Sequence, residues 1–399
     1  MKRITDSLRG DCGHDHPEVK KTALLLTLIL CLSSCGKPAL EYRTEAVWPR
    51  VPEVQVVLLK DVDSVRLAVH APYRLVNVSN GKTLLWGDEL GETTVAFRGD
   101  ELMLGKDRFP AARVKIISRR DGAVELNGTR YRGEVSLVAV PSNRLNAVNR
   151  LNVEEYVQGV LGSEMPSYWD KEALMAQAIC VRTYVLQKKL KHKSLNAMDL
   201  AYRGTANENW RLNKIVVETR GIVMFYSGRL FYAYFHSTCG GHTEPATYVF
   251  GGKDLGALKG VECGFCGESR YYGWEVDVSK AEIEEKLRKK YPAIKGLSAV
   301  VPVKPGPGGH YSAVNIKYAG GGQEISANEF RLLVGPSKIF STALSAKDRG
   351  GQIRFKGSGW GHGVGMCQYG AQGMAESGYQ WYQILRHYYP GVEFVKVYE

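Results

Sequence analysis

Near residue 150 the apolar residues change their spacing, and this change restricts the fold more than any other feature of the chain. From Val54 to about Val148 they fall in short runs of period two, such as Val54-Gln55-Val56-Val57-Leu58-Leu59 and Ala112-Arg113-Val114-Lys115-Ile116-Ile117. Turn signals such as Asn80-Gly81 and Asp121-Gly122 separate the runs. Alternation of this kind makes half-buried strands. Beyond Asp170 the apolar residues Leu174, Ala178, Val181 and Val185 recur at helical spacing, which predicts a helix over about 171–190 with Asp170 as its cap. Pro166 ends any earlier helix at Glu164-Met165. Strand-like runs return at Ile215–Phe225 and Leu230–Phe235, and Lys280–Tyr291 has the pattern of a charged amphipathic helix. Glycine- and proline-rich stretches at 304–309 and 319–322 look like loops, and no internal repeat is visible. The expected class is α+β: a β-rich region over 50–148, then a mixed α+β body over 149–399 with a long helix after Ser163-Glu164-Met165-Pro166.

A chain of 399 residues can bury one large core or two ordinary ones. Its first part carries an address. Lys20 and Lys21 precede the apolar run Thr22–Leu32, which is too short to span a bilayer and is followed by small residues. Residues 1–35 are therefore assigned to a signal peptide, with residues 1–19 as an upstream extension. The run Leu32-Ser33-Ser34-Cys35-Gly36 resembles a lipobox, in which Cys35 would be lipidated and tether the mature chain to a membrane. An ordinary cleaved signal is the alternative. Either way the mature chain is expected outside the cytoplasm, in the periplasm or cell envelope. The net charge of +12 favours an acidic partner: nucleic acid, an anionic membrane face or an acidic wall polymer. Export and the lack of a recognition motif argue against nucleic acid.

Three blocks carry most of the chemistry-bearing residues. The first is Asn152-Val153-Glu154-Glu155-Tyr156-Val157-Gln158-Gly159-Val160-Leu161-Gly162-Ser163-Glu164-Met165-Pro166, which leads into Glu172–Ala178 and Val181-Arg182-Thr183-Tyr184. The second is Phe235-His236-Ser237-Thr238-Cys239-Gly240-Gly241-His242-Thr243-Glu244. The third is Gly359-Trp360-Gly361-His362-Gly363-Val364-Gly365-Met366-Cys367-Gln368-Tyr369-Gly370-Ala371, with His387-Tyr388-Tyr389-Pro390-Gly391 beyond it. In this order they resemble the family of stage II sporulation protein D and the amidase enhancer LytB, and the similarity runs from about residue 50 to the C-terminus. The resemblance implies a peptidoglycan lytic transglycosylase that cleaves between N-acetylmuramic acid and N-acetylglucosamine in strands stripped of stem peptides. Members named for LytB imply a second role, as wall-binding enhancers of an amidase. The implied partners are peptidoglycan glycan strands and a cell-wall amidase.

Breaking a glycosidic bond requires a proton on the leaving oxygen, and a carboxyl group supplies it near neutral pH only if burial or its neighbours raise its pKa. Glu164 matches the family's acid and stands among small and apolar residues. The competing role for it is a helix-end or ion-pairing carboxylate. Gln177, Arg182 and Tyr184 follow on the helix, either orienting the acid and an N-acetyl group or forming a core polar network. His236 and Ser237 are candidates for the substrate groove. Trp360, His362 and Tyr369 lie in a glycine-rich run that either admits a sugar ring to the backbone or makes a tight corner with buried aromatics.

His236-x-x-Cys239-x-x-His242 and Cys263-Gly264-Phe265-Cys266 provide five ligands with the close spacing of a tetrahedral site. Cys239, His242, Cys263 and Cys266 are the set expected to hold a structural zinc. A disulfide is the alternative in an oxidising compartment. Cys180 reads as a small buried hydrophobe, and Cys367 stands where the family usually has serine.

Overall fold

The computed structural model describes residues 42–45, 47–119, 124–253 and 255–399. The signal segment 1–35, the lipidation site Cys35 and the Asp121-Gly122 turn lie outside them. No helix among the described residues is long and apolar enough to cross a membrane.

The period-two region folds into two sheets. One has seven strands in the spatial order Leu195–Asn196, Glu53–Val62, Arg144–Asn152, Glu134–Val140, Arg113–Ser118, Tyr73–Asn77 and Thr83–Gly87. The other has six: Thr129–Tyr131, Val124–Leu126, Val65–Val69, Leu90–Arg98, Glu101–Leu104 and Asp107–Pro110. Neighbours are antiparallel except for the short parallel pair formed by Leu195–Asn196. Alternate residues such as Val54, Val56, Val114 and Ile116 are buried, so each strand gives one face to the interior. Val65, Leu67, Phe97 and Leu102 of one sheet share a core with Val114, Leu137 and Ala147 of the other.

The strand Arg144–Asn152 passes without a loop into helix α1, Val153–Glu164. Asn152 caps it by accepting the N–H of Glu155 at 3.0 Å, and the Glu155 carboxylate accepts the N–H of Asn152 at 3.0 Å. Met165 leaves the helical conformation and Pro166 prevents its continuation. Helix α2 is Lys171–Leu190, capped by Asp170, which accepts the N–H of Glu172 at 2.8 Å. Leu174, Ala178, Val181 and Val185 are fully buried, as are Ala173, Ile179 and Leu186 on its other sides, so α2 is the central helix of the body.

Its one interior charge is Arg182, which forms a two-pronged ion pair with Glu154 of α1 at 3.0 and 2.7 Å. Arg182 also donates to the Ile222 carbonyl, while Glu154 accepts from the Gly221 N–H and the Tyr398 hydroxyl. Two helices and the C-terminus therefore meet at one satisfied pair.

Two sequence readings are corrected here. The run Ile215–Phe225 is not one strand. Residues Trp210–Glu218 form helix α3, started by Asn209, which accepts the N–H of Leu212 at 3.0 Å. Leu212, Ile215 and Val216 turn one buried stripe inward, and only Ile222–Phe225 is strand. Its partner Glu393–Lys396 also pairs with Arg43–Thr44. Leu230–Phe235 is extended but mostly unpaired. Only Phe235–His236 forms a ladder, parallel to Met366–Cys367.

A second core lies further along the chain. Helices α5 (Lys280–Arg288) and α6 (Ala327–Val334) pack with the three-stranded sheets Leu297–Pro305/Tyr311–Tyr318/Gly321–Ser326 and Trp274–Ser279/Gln352–Ser358/Ala343–Asp348. Between α3 and α5 lies the short helix α4, Ala246–Phe250. Helices α7 (Gln368–Glu376) and α8 (Trp381–Tyr388) close the body.

Candidate active site

Glu164 is the last residue of α1, and its side chain forms part of one wall of a cleft of about 720 Å³. Tyr184 from α2, the extended segment Tyr234–Ser237, Phe250 and the loop Trp360–His362 form the rest, with Asp199 and Gln368 at the edges. The half-buried carboxyl of Glu164 accepts the Ala201 N–H at 2.8 Å and the Gln368 amide at 3.4 Å. Burial raises its pKa, and these two hydrogen bonds oppose the rise without cancelling it. Its place at the C-terminal end of a helix acts in the same direction as burial, because the helix dipole disfavours negative charge there. The result is a carboxyl group that keeps its proton to higher pH than an ordinary glutamate.

His236 is buried and its Nδ1 lies 3.1 Å from the Val364 carbonyl. A carbonyl only accepts, so Nδ1 carries the hydrogen and Nε2 is left as an acceptor. Nε2 is buried with no partner among the described residues. Burial, reinforced by the nearby His310, pushes the imidazole down to about 3, so it is neutral. His362 accepts the Val364 N–H on Nδ1 at 3.0 Å, and burial holds it well below its usual range too. Tyr234 packs on Phe250 at 4.7 Å between ring centres, and Phe250 on His362 at 5.2 Å. The wall facing Glu164 is therefore aromatic and uncharged, suited to the face of a pyranose ring.

The glycines of the Trp360–Gly365 loop allow it to lie against the Tyr234–His236 segment. A Cβ on Gly361 would come 2.7 Å from the Cβ of His236, and one on Gly365 would strike the Tyr234 carbonyl. Both have positive φ, 119° and 73°, where only glycine is unstrained. The loop thus builds the cleft wall by packing on protein, with the Trp360 ring tilted against Tyr271 at 4.3 Å between centres.

The structure brings Glu164, Tyr184, His236, Ser237, Trp360 and His362 into one cleft. It does not bring in Gln177, Arg182 or Tyr369. Gln177 is fully buried in α2, with neither amide atom partnered among the described residues. Arg182 is engaged by Glu154 in the core. Tyr369 lies edge-on to Trp169 at 4.9 Å. Sequence reasoning missed Gln368, Asp199, Tyr234 and Phe250. Tyr234 had a readable signal in the alternation Phe231-Tyr232-Ala233-Tyr234-Phe235, whereas Gln368 and Asp199 depend on tertiary contact alone. Asp199 is engaged by Lys188 and by the Asn196 N–H.

Three of the four residues expected to hold a metal come together, with a different fourth. Cys239, Cys263, Cys266 and Cys367 are buried thiols with their sulfurs all within 4.8 Å of one another. His242 is not part of this group, in which Cys367 is the fourth member; the His242 Nδ1 lies 2.6 Å from the Thr243 carbonyl. The set could hold a metal ion. Tetrahedral zinc–thiolate geometry, with bonds of about 2.3 Å, puts sulfurs about 3.8 Å apart, and Cys239 and Cys266 are 3.6 Å apart. The cluster joins the segment that carries His236 to the start of α7, where Gln368 reaches Glu164.

A family model described as stage II sporulation protein matches residues 141–226, and one described as a domain of unknown function matches residues 260–365. An uncharacterized protein of Brachyspira hyodysenteriae is 32% identical over 82% of this chain and 88% of its own length. Stage II sporulation protein D of Bacillus subtilis is 30% identical over 65% of this chain and 80% of its own length. The amidase enhancer of Bacillus subtilis is 28% identical over 59% of this chain and 39% of its own length.

Proposed function

Because the chain belongs to the stage II sporulation protein D family, we propose that it is an envelope-located peptidoglycan lytic transglycosylase with Glu164 as its single acid and base. One observation carries this reading: a carboxyl with a raised pKa stands opposite an uncharged aromatic wall in a cleft able to seat sugar rings. Ordinary glycosidases need a second free carboxylate. The other acid at this cleft, Asp199, is engaged by Lys188, which supports a one-carboxyl mechanism.

Protonated Glu164 gives its hydrogen to the oxygen linking muramic acid C1 to the next sugar, and the C1–O bond breaks toward an oxocarbenium-like centre. The Glu164 carboxylate then removes the proton of the same muramyl 6-hydroxyl as that oxygen bonds to C1. A 1,6-anhydro ring closes and Glu164 regains its proton. Tyr184 and Trp360 contact ring faces, and the neutral imidazole of His236 keeps the wall uncharged. The expected products of digesting glycan strands end in 1,6-anhydromuramic acid, detected by mass spectrometry. Reducing ends alone would sink the proposal.

The likeness to an amidase enhancer supports a second reading, in which the chain binds the wall and stimulates an amidase. Stimulation that persists in a variant lacking Glu164 would select it. Anchoring through Cys35 also belongs to the proposal and places either activity at a membrane surface.

We assign zinc to the four-cysteine cluster, where it would hold the two walls of the cleft together and take no part in bond breaking. Elemental analysis of the purified chain is expected to give one zinc per chain. Cys367→Ser is expected to lose most of it and to melt earlier, while His242→Ala keeps it. Retention by C367S with loss by H242A would restore the histidine-containing set.

A further inference from the structure

A second cleft, of about 890 Å³, opens beside the first and is bordered by Trp48, Gln187, Lys191, Tyr226, Arg229 and Tyr232. The extended segment 231–236 joins the two. Phe231, Ala233 and Phe235 are buried on its inner side, while Tyr232 and Tyr234 remain partly exposed on the other. Tyr234 lines the first cleft and Tyr232 the second. Tyr184 touches both rings, at 5.4 Å and 5.9 Å between centres, and the two tyrosines are 5.9 Å apart. A row of aromatic rings thus runs from the wall facing Glu164 into the second cleft without a break. At the far end Lys191 and Arg229 are exposed. Among the described residues, no carboxylate forms an ion pair with either; Glu45, on the same rim, pairs with Arg43 at 3.1 Å.

We propose that the second cleft is a distal subsite for the same glycan strand, seating sugars away from the bond that is cleaved. Its aromatic faces stack on pyranose rings. Lys191 and Arg229 meet the lactyl carboxylates of muramyl residues, which are free and negatively charged only where the stem peptide has been removed. The two cations would thus make the cleft a reader of peptide-free strands. The inference rests on the reading of the first cleft as a glycan site, and it adds the substrate's length and charge.

Binding is measured with the full chain carrying Glu164→Gln, so that no strand is cut during titration. The probes are peptide-free glycan strands and chitooligosaccharides of the same length, which have the rings without the carboxylates. The strand is expected to bind about tenfold more tightly than the chitooligosaccharide. Lys191→Glu with Arg229→Glu is expected to erase that margin, and Lys191→Arg with Arg229→Lys to keep it, which separates charge from folding. Trp48→Ala should weaken both long ligands. Equal affinity for the two probes in the parent, or a margin that survives the charge reversal, would overturn the proposal. So would loss of binding to phosphatidylglycerol vesicles, or of a concentration-dependent dimer, in the reversed variant with glycan affinities unchanged. Absence of anhydro ends from wild-type digests would remove the cleavage reading and leave these affinities standing, so the two failures are distinguishable.

Discussion

Glu164→Gln is expected to reduce strand cleavage by on the order of 10²–10⁴-fold or more, because one side chain serves as both acid and base. The amide fills the same space and still accepts the Ala201 N–H, so glycan affinity is expected to change little. Wild-type activity should fall as pH rises through the raised pKa of Glu164, since only the protonated form can give a hydrogen to the leaving oxygen. The same shift has a consequence for stability. A carboxyl whose folded-state pKa lies above its unfolded value contributes stability that is fully present below the unfolded value and is lost as pH rises through the folded one. Glutamine carries no such charge. The E164Q chain should therefore melt at or above the wild-type temperature at neutral and alkaline pH, and the gap should close in acid. Anhydro-end counting and thermal denaturation across pH measure the two halves. A variant that keeps wild-type cleavage would exclude Glu164 as the acid.

The largest loss of stability is expected from Arg182→Met. It leaves the Glu154 carboxylate in the interior with no cation, a change that costs about 3–5 kcal/mol in buried pairs and lowers the melting temperature by on the order of 10 °C. Removing both partners, as Glu154→Gln with Arg182→Met, should recover part of the loss, because no unpaired charge remains. Burial alone would raise the Glu154 pKa, but Arg182, Tyr398 and the Gly221 N–H hold it below its ordinary value. The stability from this depressed group is present above the unfolded carboxyl pKa and lost as pH falls through the folded one. The wild type should lose this contribution in acid, and the double variant should not. A double variant no more stable than R182M would argue that the guanidinium stabilises mainly by filling space.

The sequence made some of this plain. Alternation in runs such as Val54–Leu59 is a local property, and the sheets followed it. The helix Lys171–Leu190 was also legible, since its apolar spacing and its cap at Asp170 are close in sequence. Ile215–Phe225 misled because Ile215, Val216 and Val217 are β-branched and resemble a strand, whereas the cap at Asn209 and the burial of Leu212 and Ile215 favour a helix. The cysteine cluster shows a different limit. Its pairing pattern suggested nearby His242, yet the fourth sulfur comes from Cys367, 128 residues beyond Cys239. No local spacing records that approach. Arg182 resembled a substrate ligand because a charge on an apolar helix calls for a partner, and its partner lay on the preceding helix.

The direct join between the strand Arg144–Asn152 and α1 fixes the phase of Glu164 relative to the seven-stranded sheet. No loop separates sheet from helix to absorb a change in length. One residue added within Val153–Glu164 would rotate the carboxyl by about 100° around the helix axis and move it about 1.5 Å along it, out of the cleft and toward the core. The acid is thus indexed to the sheet like a tooth on a gear through the twelve-residue span of α1.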